Sequence, residues 1–265
     1  MMSETRRTGS KCIVLLAFTL FSHMLSHSLA VCDETVAPAE KGFAVVELFT
    51  SQGCSSCPSA DKNLQRITTL AAKNNSPVYT LSFHVDYWND LGWEDPFSIA
   101  TATLRQRRYA SVFKAKRIYT PQIVVNGQTQ FLGSDRERSD ASIASELRTA
   151  GESSLTLTAT VVDDQVVVKW TTDDALADLL NVALVQKEAE RSVDAGENGG
   201  RTLKHVNVVR NFKVVRTFPA ADVVLETPKG FAASDYHVVA FLQTARNGKI
   251  HCAAQVAIEE SAAGR

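Results

Sequence analysis

Apolar residues in the first half of the chain alternate between short continuous runs and longer segments with helical spacing. The run Phe43–Thr50 is almost entirely apolar, which is typical of a strand that is covered on both faces. From Ser59 to Lys73, leucine, isoleucine and alanine recur at the spacing of an amphipathic helix. The pattern predicts, in order, strand Phe43–Thr50, helix Ser59–Lys73, strand Val78–His84, helix Pro96–Arg117, strands Gln122–Val125 and Thr129–Leu132, and helix Asp135–Ala150.

After residue 151 the pattern changes to alternation of apolar and polar residues in short segments. Such alternation is typical of half-buried strands, and Asn247-Gly248 marks a hairpin turn between the last two. We therefore predict an α/β domain of residues 42–151 followed by an all-β, sandwich-like domain of residues 153–260. The strands predicted in the second domain are Leu155–Val161, Val166–Trp170, Val182–Lys187, Val206–Phe218, His237–Gln243 and Ile250–Ile258.

Residues 1–30 have the organisation of a secretory signal peptide. Basic residues precede the apolar stretch Cys12–Leu25, and Ser28-Leu29-Ala30 has the small-x-small pattern of a cleavage site. Polar residues interrupt the apolar stretch, which is shorter than the roughly 20 residues that a membrane anchor requires. We expect a periplasmic or secreted mature protein without a membrane anchor. Lipidation at Cys32 is the alternative, although the branched Val31 replaces the small residue that usually precedes a lipidated cysteine.

Charge and composition exclude several classes of protein. The chain has a net charge of −1 and is 45% hydrophobic, which excludes an intrinsically disordered protein. Removal of residues 1–30 changes the net charge to −3, because three basic residues and one acidic residue are lost. A nucleic-acid partner is not expected, since proteins of that class usually carry a basic surplus.

The clearest chemical feature is the segment Cys54-Ser55-Ser56-Cys57, between the first predicted strand and the first helix. Pro58 follows, at a position that suits the first turn of a helix. The N-terminus of a helix favours a thiolate, and two intervening residues let the sulfurs form a reversible disulfide. We expect Cys54 to be the exposed attacking thiol and Cys57 the resolving thiol.

Two alternatives remain open for the cysteines. The Cys54–Cys57 disulfide could be permanent and structural, as is common in exported proteins. A zinc site needs four ligands, and the chain has no second C-x-x-C, so we do not expect a metal. We expect no organic cofactor either. Cys252 alternates with apolar residues and is expected to be buried; a disulfide with Cys32 is the competing expectation.

Three segments together resemble the thioredoxin-like superfamily: FAVVELFT, the C-x-x-C at a helix start, and YTPQIVVNG. The fold-level resemblance covers about residues 42–150. More narrowly, VVELFTSQGCSSCPSAD is similar to an uncharacterised family of exported bacterial proteins with a thioredoxin-like domain. The narrower resemblance extends through GENGGRTLKHVNVVR in the second half.

The resemblance implies roles for individual residues. It makes Cys54 and Cys57 a redox pair and Pro121 the cis-proline of the fold, which would expose Thr120 to an extended substrate. It also implies that Glu47, on the first strand, is a buried carboxylate that helps to deprotonate the resolving thiol. The alternative for Glu47 is a partly exposed glutamate at the end of a strand.

Four other features allow both a functional and a plainer interpretation. Trp88 follows the second strand and could receive a substrate peptide, or it could cover the core; His84 could influence the thiolate or make a local hydrogen bond. The basic run Arg105–Arg108 is expected to be a solvated helix face. Gly196–Gly200 is expected to be a flexible hairpin connection, although with His205 it could line a surface between the domains.

The sequence therefore predicts an exported thiol–disulfide oxidoreductase that acts on protein thiols and disulfides through Cys54 and Cys57. Its electrons would come from a second redox protein. The main alternative is a noncatalytic binding module in which the Cys54–Cys57 disulfide braces a loop. A metallochaperone is the third possibility.

Overall fold

A mixed α/β fold is built on one large and one small sheet. The computed structural model describes residues 42–149, 151, 153–218 and 220–260. The predicted signal peptide and Cys32 lie outside these residues. The helices are α1 (Cys57–Lys73), α2 (Ala100–Val112) and α3 (Arg136–Glu146). The strands are β1 (Ala44–Thr50), β2 (Val78–His84), β3 (Gln122–Val125), β4 (Thr129–Leu132), β5 (Leu155–Val162), β6 (Gln165–Thr172), β7 (Leu179–Val193), β8 (Arg201–Arg216), β9 (Val223–Glu226), β10 (Tyr236–Gln243) and β11 (Ile250–Ala257).

The large sheet has eight strands in the order β11-β10-β7-β8-β2-β1-β3-β4, and the small sheet has the order β5-β6-β9. β1 pairs in parallel with β2 and antiparallel with β3, and β4 returns beside β3 through the predicted hairpin. β8 joins β2 in parallel, with Ser82 opposite Val208. Strands from both halves of the chain therefore form one sheet.

Most predicted elements of the first half are confirmed, with shifts at their ends. β2, β3 and β4 have the predicted bounds, and α1 begins two residues early, at Cys57. Helix α2 is shorter than the predicted Pro96–Arg117. It begins late because the Ser98 N–H bonds to the Asp95 carbonyl in a turn, and beyond its end Lys114 adopts a positive φ of 53°.

The hairpin formed by β7 and β8 is much longer than predicted. Its pairing runs from Leu179 opposite Arg216 to Val193 opposite Arg201. The outer part of this hairpin is rich in charged residues, so its composition resembles that of a connection rather than a strand. The short strand β9 is likewise absent from the sequence prediction.

The predicted division into two separate domains, residues 42–151 and 153–260, is not confirmed. The physical reason is that β8 pairs with β2, so β7, β8, β10 and β11 extend the sheet of the first half. The sandwich-like element is the small sheet, which packs on the large sheet around a shared apolar core. Cys252 is buried in that core, as predicted, and burial raises the pKa of its thiol to about 11. The competing expectation, a disulfide between Cys252 and Cys32, stays a prediction because Cys32 lies outside the described residues.

Two further cores lie on opposite faces of the large sheet. Alternate residues of β1 point to opposite faces, so Val46 and Leu48 pack toward α1 while Val45 and Phe49 pack toward α2. Both faces are covered, which explains why β1 is an almost continuous apolar run. In the described residues, no helix combines the length and the apolar character needed to cross a membrane.

Arg105 lies on α2, and its side chain is buried in the core. The prediction of a solvated basic face is therefore wrong at this position. Its guanidinium group pairs with the Glu47 carboxylate, with one N–H···O distance of 2.9 Å, and it also donates to Tyr109 Oη at 2.8 Å. It reaches the second half of the chain through Asn181 Oδ1 at 3.0 Å and Gln243 Oε1 at 3.5 Å. One cation thus bridges β1, α2, β7 and β10.

Electrostatics and aromatic packing keep this cation charged. Burial alone would lower the pKa of Arg105, but the charge and hydrogen bonds of Glu47 and Tyr109 together outweigh burial and raise it. The guanidinium carbon lies 4.9 Å from the ring centre of Tyr109 and 5.0 Å from those of Phe212 and Phe241. Aromatic faces attract a desolvated cation and so replace part of its lost hydration.

We predict that Arg105→Ala lowers the free energy of unfolding by about 3–5 kcal/mol, because Glu47 is then buried without a counter-charge. Urea denaturation measures the change. Arg107→Ala is the matched control, since Arg107 is exposed on the same helix and should change stability by less than about 0.5 kcal/mol. Equal losses in the two variants would contradict the bridging role.

Candidate functional site

The cysteine pair lies in the loop between the end of β1 and the start of α1. Cys54 and Cys57 form a disulfide, with their Cα atoms 5.4 Å apart. Helix α1 begins at Cys57, and Pro58 is in its first turn, where the missing N–H costs no helical hydrogen bond. Residues 51–57 are called the cysteine loop below.

The prediction that Cys54 is exposed is wrong. Cys54 is 1% exposed and Cys57 is fully buried, although Ser55 and Ser56 between them are exposed. The Cys54 sulfur lies 3.3 Å from the Ser56 hydroxyl, which is close enough for a hydrogen bond to sulfur. The disulfide is therefore buried in this structure, and a distant segment of the chain binds the backbone of the loop that carries it.

That segment is the turn between β7 and β8, residues 194–200, called the hairpin tip below. Asn198 is fully buried, and its Nδ2 donates to the Gln52 carbonyl at 2.8 Å and to the Cys54 carbonyl at 2.9 Å. Glu197 Oε2 accepts a hydrogen bond from the Ser55 backbone N–H at 2.8 Å. The hairpin tip thus holds three nearby backbone groups of the cysteine loop.

Glycine lets the hairpin tip lie this close to the rest of the site. Gly196 has a φ of +72°, and a Cβ atom there would lie 3.1 Å from the Trp93 Cβ. A side chain would therefore meet both a strained backbone and a steric obstacle. At the other end of the tip, Arg201 donates to Asn198 Oδ1 at 2.7 Å, which orients the amide toward the loop.

A buried histidine–aspartate pair contacts the backbone of the cysteine loop. His84, at the end of β2, lies 2.7 Å from Asp95 through Nδ1 and Oδ2, and the same carboxylate oxygen accepts the Gln52 N–H at 2.8 Å. Burial opposes the charge on Asp95, but His84 and the backbone N–H groups of Gln52 and Phe97 outweigh it and lower its pKa to about 2. Burial likewise opposes the charge on His84, but Asp95 outweighs it and raises its pKa. Of the two roles predicted for His84, the structure shows the plainer one, a local hydrogen bond.

A second buried carboxylate lies one helical turn after Cys57. Asp61 accepts a hydrogen bond from Thr50 Oγ1 at 3.0 Å, and its other oxygen is 3.7 Å from His205 Nδ1. His205 comes from β8, and its Nε2 is 3.1 Å from Gln52 Nε2. Because residues four apart share a helix face, Asp61 lies on the same side of α1 as Cys57.

The structure also brings together the predicted substrate-binding residues. The Thr120–Pro121 peptide bond is cis, the isomer that the resemblance implies. Trp88 Nε1 donates to Thr120 Oγ1 at 2.8 Å. The backbone of Trp88 also lies beside the cysteine loop, because a Cβ atom on Gly53 would be 3.6 Å from the Trp88 carbonyl oxygen. Trp88 therefore links the loop to the residue before Pro121.

Glu47 is not part of this cluster. Its side chain is fully buried, so it is not a partly exposed strand end, but it points to the α2 face of the sheet. Its contacts are with Arg105 and Tyr109 rather than with the cysteines. Glu47 therefore pairs with Arg105 in the core and is not brought to Cys57, the predicted resolving thiol. In the part of the chain that the structure describes, no group of three or more His, Cys, Asp or Glu residues is arranged to hold a metal.

Sequence reasoning missed the residues that surround the loop from a distance. Glu197, Asn198 and His205 come from the β7–β8 hairpin; the sequence offered Gly196–Gly200 with His205 only as a possible surface between domains and did not place them at the cysteine loop. Asp61 had a usable signal, since it follows Cys57 by four residues on a predicted helix. No sequence signal pointed to Asp95, because only the tertiary fold brings it to His84.

We predict that the His84–Asp95 pair stabilises the protein most between about pH 4 and pH 6.5. The raised pKa of His84 gives stability that is complete below its unfolded value and lost as pH rises through the folded value. The lowered pKa of Asp95 gives stability that is present above its unfolded value and lost as pH falls toward about 2.

Urea denaturation of Asp95→Asn across this pH range checks the prediction. The variant should lose about 3 kcal/mol near pH 5 and progressively less at alkaline pH. Asp90→Asn, at an exposed position in the same loop region, is the control and should follow the wild type. A loss that is the same at every pH would contradict the pairing.

Residues 45–243 match a family described as a protein of unknown function (DUF1223). Among solved structures, the chain is similar to protein AGR_C_4864 from Agrobacterium tumefaciens, with 28% identity and a TM-score of 0.58 over 80% of this chain and 93% of that one. It is similar in fold to HBP35 of Porphyromonas gingivalis, with 18% identity and a TM-score of 0.57 over 85% of this chain and 78% of that one.

No curated protein matches the chain. The family match includes the cysteine loop, the Thr120–Pro121 bond and the hairpin tip. Because it spans most of the sequence, the chain belongs to the DUF1223 family.

Proposed function

We propose that the protein is an exported thiol–disulfide oxidoreductase with a thioredoxin-like core, and that Cys54 and Cys57 exchange disulfides with protein substrates. The observation that carries the proposal is the Cys54–Cys57 disulfide at the N-terminus of α1. A thiolate formed there is stabilised by the unpaired N–H groups and partial positive charge of the helix end.

The surrounding fold supports this proposal. The strand order β2-β1-β3-β4, with β1 parallel to β2 and antiparallel to β3, has the connectivity expected of a thioredoxin-like core. The cis bond before Pro121 lies in the same region, since Gly133 donates to the Pro121 carbonyl and a Cβ on Gly133 would be 2.9 Å from Ala60 of α1. Thr120 and Trp88 would then contact the substrate chain beside the disulfide.

The proposed reaction has two steps. The Cys54 thiolate attacks one sulfur of a substrate disulfide, that S–S bond breaks, and the other substrate sulfur leaves with the electron pair as a thiolate. The Cys57 thiolate then attacks the Cys54 sulfur of the mixed disulfide, and the substrate leaves with both sulfurs reduced. Two electrons pass to the substrate, and its thiolates take up two protons. Oxidation of a substrate dithiol is the reverse sequence.

The cycle needs a second protein. After one turnover the Cys54–Cys57 pair is oxidised, as in this structure, and a partner dithiol protein would reduce it by the same exchange. The signal-like residues 1–30 support a periplasmic or secreted location, where disulfides form and persist.

A noncatalytic binding module is the second candidate, and a specific observation favours it. Cys54 and Cys57 are almost completely buried, and a substrate sulfur must reach a disulfide in line with the S–S bond. A disulfide that never meets a substrate would brace the cysteine loop against the hairpin tip. The two candidates differ in whether the pair exchanges while the protein is folded.

We predict that reduced Cys57→Ser forms a lasting mixed disulfide through Cys54. A model peptide that contains one disulfide serves as the probe. Because the serine hydroxyl introduced at this position cannot resolve the adduct, it should persist at least about 100-fold longer than any adduct on the wild type. Mass spectrometry identifies the cysteine, and dithiothreitol should release the peptide.

Cys54→Ser is the matched control, since it retains Cys57 and the buried Cys252 and should form no comparable adduct. An adduct on Cys252, or equally short-lived adducts on the wild type and Cys57→Ser, would refute the assigned roles.

A further inference from the structure

Glu197 places a carboxylate at the end of α1 where a Cys54 thiolate would form. Its Oε2 accepts the Ser55 N–H at 2.8 Å, and its side chain is otherwise on the surface. Hydrogen bonds from Ser55 hold the pKa of Glu197 below its ordinary value, so the group is charged at neutral pH. The contact exists because the long β7–β8 hairpin, paired as far as Val193 opposite Arg201, ends in the tip that meets the cysteine loop.

Two negative charges at this place repel each other. Only four covalent bonds separate the Cys54 sulfur from the Ser55 nitrogen, so the sulfur and the carboxylate lie within about one Debye length, roughly 8–10 Å. The helix end carries only about half a positive charge, and Glu197 binds the N–H of Ser55, one residue before the N-cap Ser56. The Ser56 hydroxyl, 3.3 Å from the Cys54 sulfur, is left as a side-chain donor to the thiolate.

The hairpin tip is also docked on the backbone of the loop that carries the same sulfur. Asn198 anchors the tip to the carbonyls of Gln52 and Cys54, and Cys54 is 1% exposed in this arrangement. Movement of the tip away from the loop would therefore take the Glu197 carboxylate away from the developing thiolate.

We propose that Glu197 is a positioning residue that restrains Cys54: while the hairpin tip is docked, its charge disfavours the thiolate, and displacement of the tip from the loop removes the restraint. This inference rests on the proposed exchange function. It assigns to the second half of the chain a direct effect on the reactivity of the cysteine pair.

Other charged groups face the cysteine loop and must be held constant in a test. They come from α1, from β2 and the segment after it, and from β8: Asp61, His84, Asp95, Arg201 and His205. A change confined to Glu197 leaves all of them in place. A difference between the parent chain and its Glu197→Gln variant therefore measures the carboxylate alone.

The test measures the pH dependence of Cys54 alkylation in the full chain. Each protein carries Cys57→Ser, so that Cys54 is the thiol of the loop, and iodoacetamide is the probe. Peptide mass spectrometry follows Cys54 separately from Cys252. In Glu197→Gln we expect the pKa of the Cys54 thiol to fall by about half to one pH unit, with about three- to tenfold faster alkylation below that pKa.

Two further variants separate charge from structure. Glu190→Gln removes the same charge from the same hairpin, where Glu190 pairs with Lys204 on the surface, and should leave the Cys54 pKa unchanged. Glu197→Asp keeps the charge and should retain most of the wild-type pKa. Equal pKa values in Glu197→Gln and its parent, or equal shifts in Glu197→Gln and Glu190→Gln, would overturn the inference.

The peptide-trapping experiment reports on the proposed function separately. If trapping fails while the Glu197→Gln shift is present, the exchange function is wrong and the electrostatic coupling holds. If trapping succeeds while the shift is absent, Cys54 exchanges disulfides without restraint from Glu197.

Discussion

The buried charge of Arg105 is the constraint on which the arrangement of this protein depends. A guanidinium group removed from water must be paired, and Glu47, Asn181 and Gln243 supply its partners from strands in both halves of the chain. Helix α2 is thereby fixed against the sheet. The next residue, Gln106, donates to the Tyr119 carbonyl at 2.7 Å, just before the Thr120–Pro121 bond. The same helix thus anchors the core and one side of the candidate site.

The second half of the chain completes the site instead of forming an independent module. β8 joins the sheet beside β2, and from that position it carries His205 to the buried face of the cysteine loop. The hairpin then continues to Asn198 and Glu197, which bind the loop backbone. The contact of Glu197 with the loop backbone is the physical basis for the proposed restraint on Cys54.

Local sequence patterns predicted the parts of this structure that depend on neighbours in the chain. Periodicity located β2 and β3, and the cysteine spacing with Pro58 located the start of α1 within two residues. Long-range contacts were not predictable in this way. Arg105 lies in a run of charged residues typical of a solvated face, and its pairing with Glu47 and the surrounding aromatic rings, both set by the tertiary fold, make its burial possible. Glu47 was expected beside the cysteines, but strand alternation directs it to the opposite face.

A redox titration of the Cys54–Cys57 disulfide in the folded full chain tests the central claim most directly. Thiol content is measured in dithiothreitol and glutathione buffers, while circular dichroism follows the fold. The account predicts reversible reduction with one midpoint above about −300 mV and no loss of native structure. Reduction that occurs only below that potential, or only when the protein unfolds, would contradict the account and identify the disulfide as a structural brace.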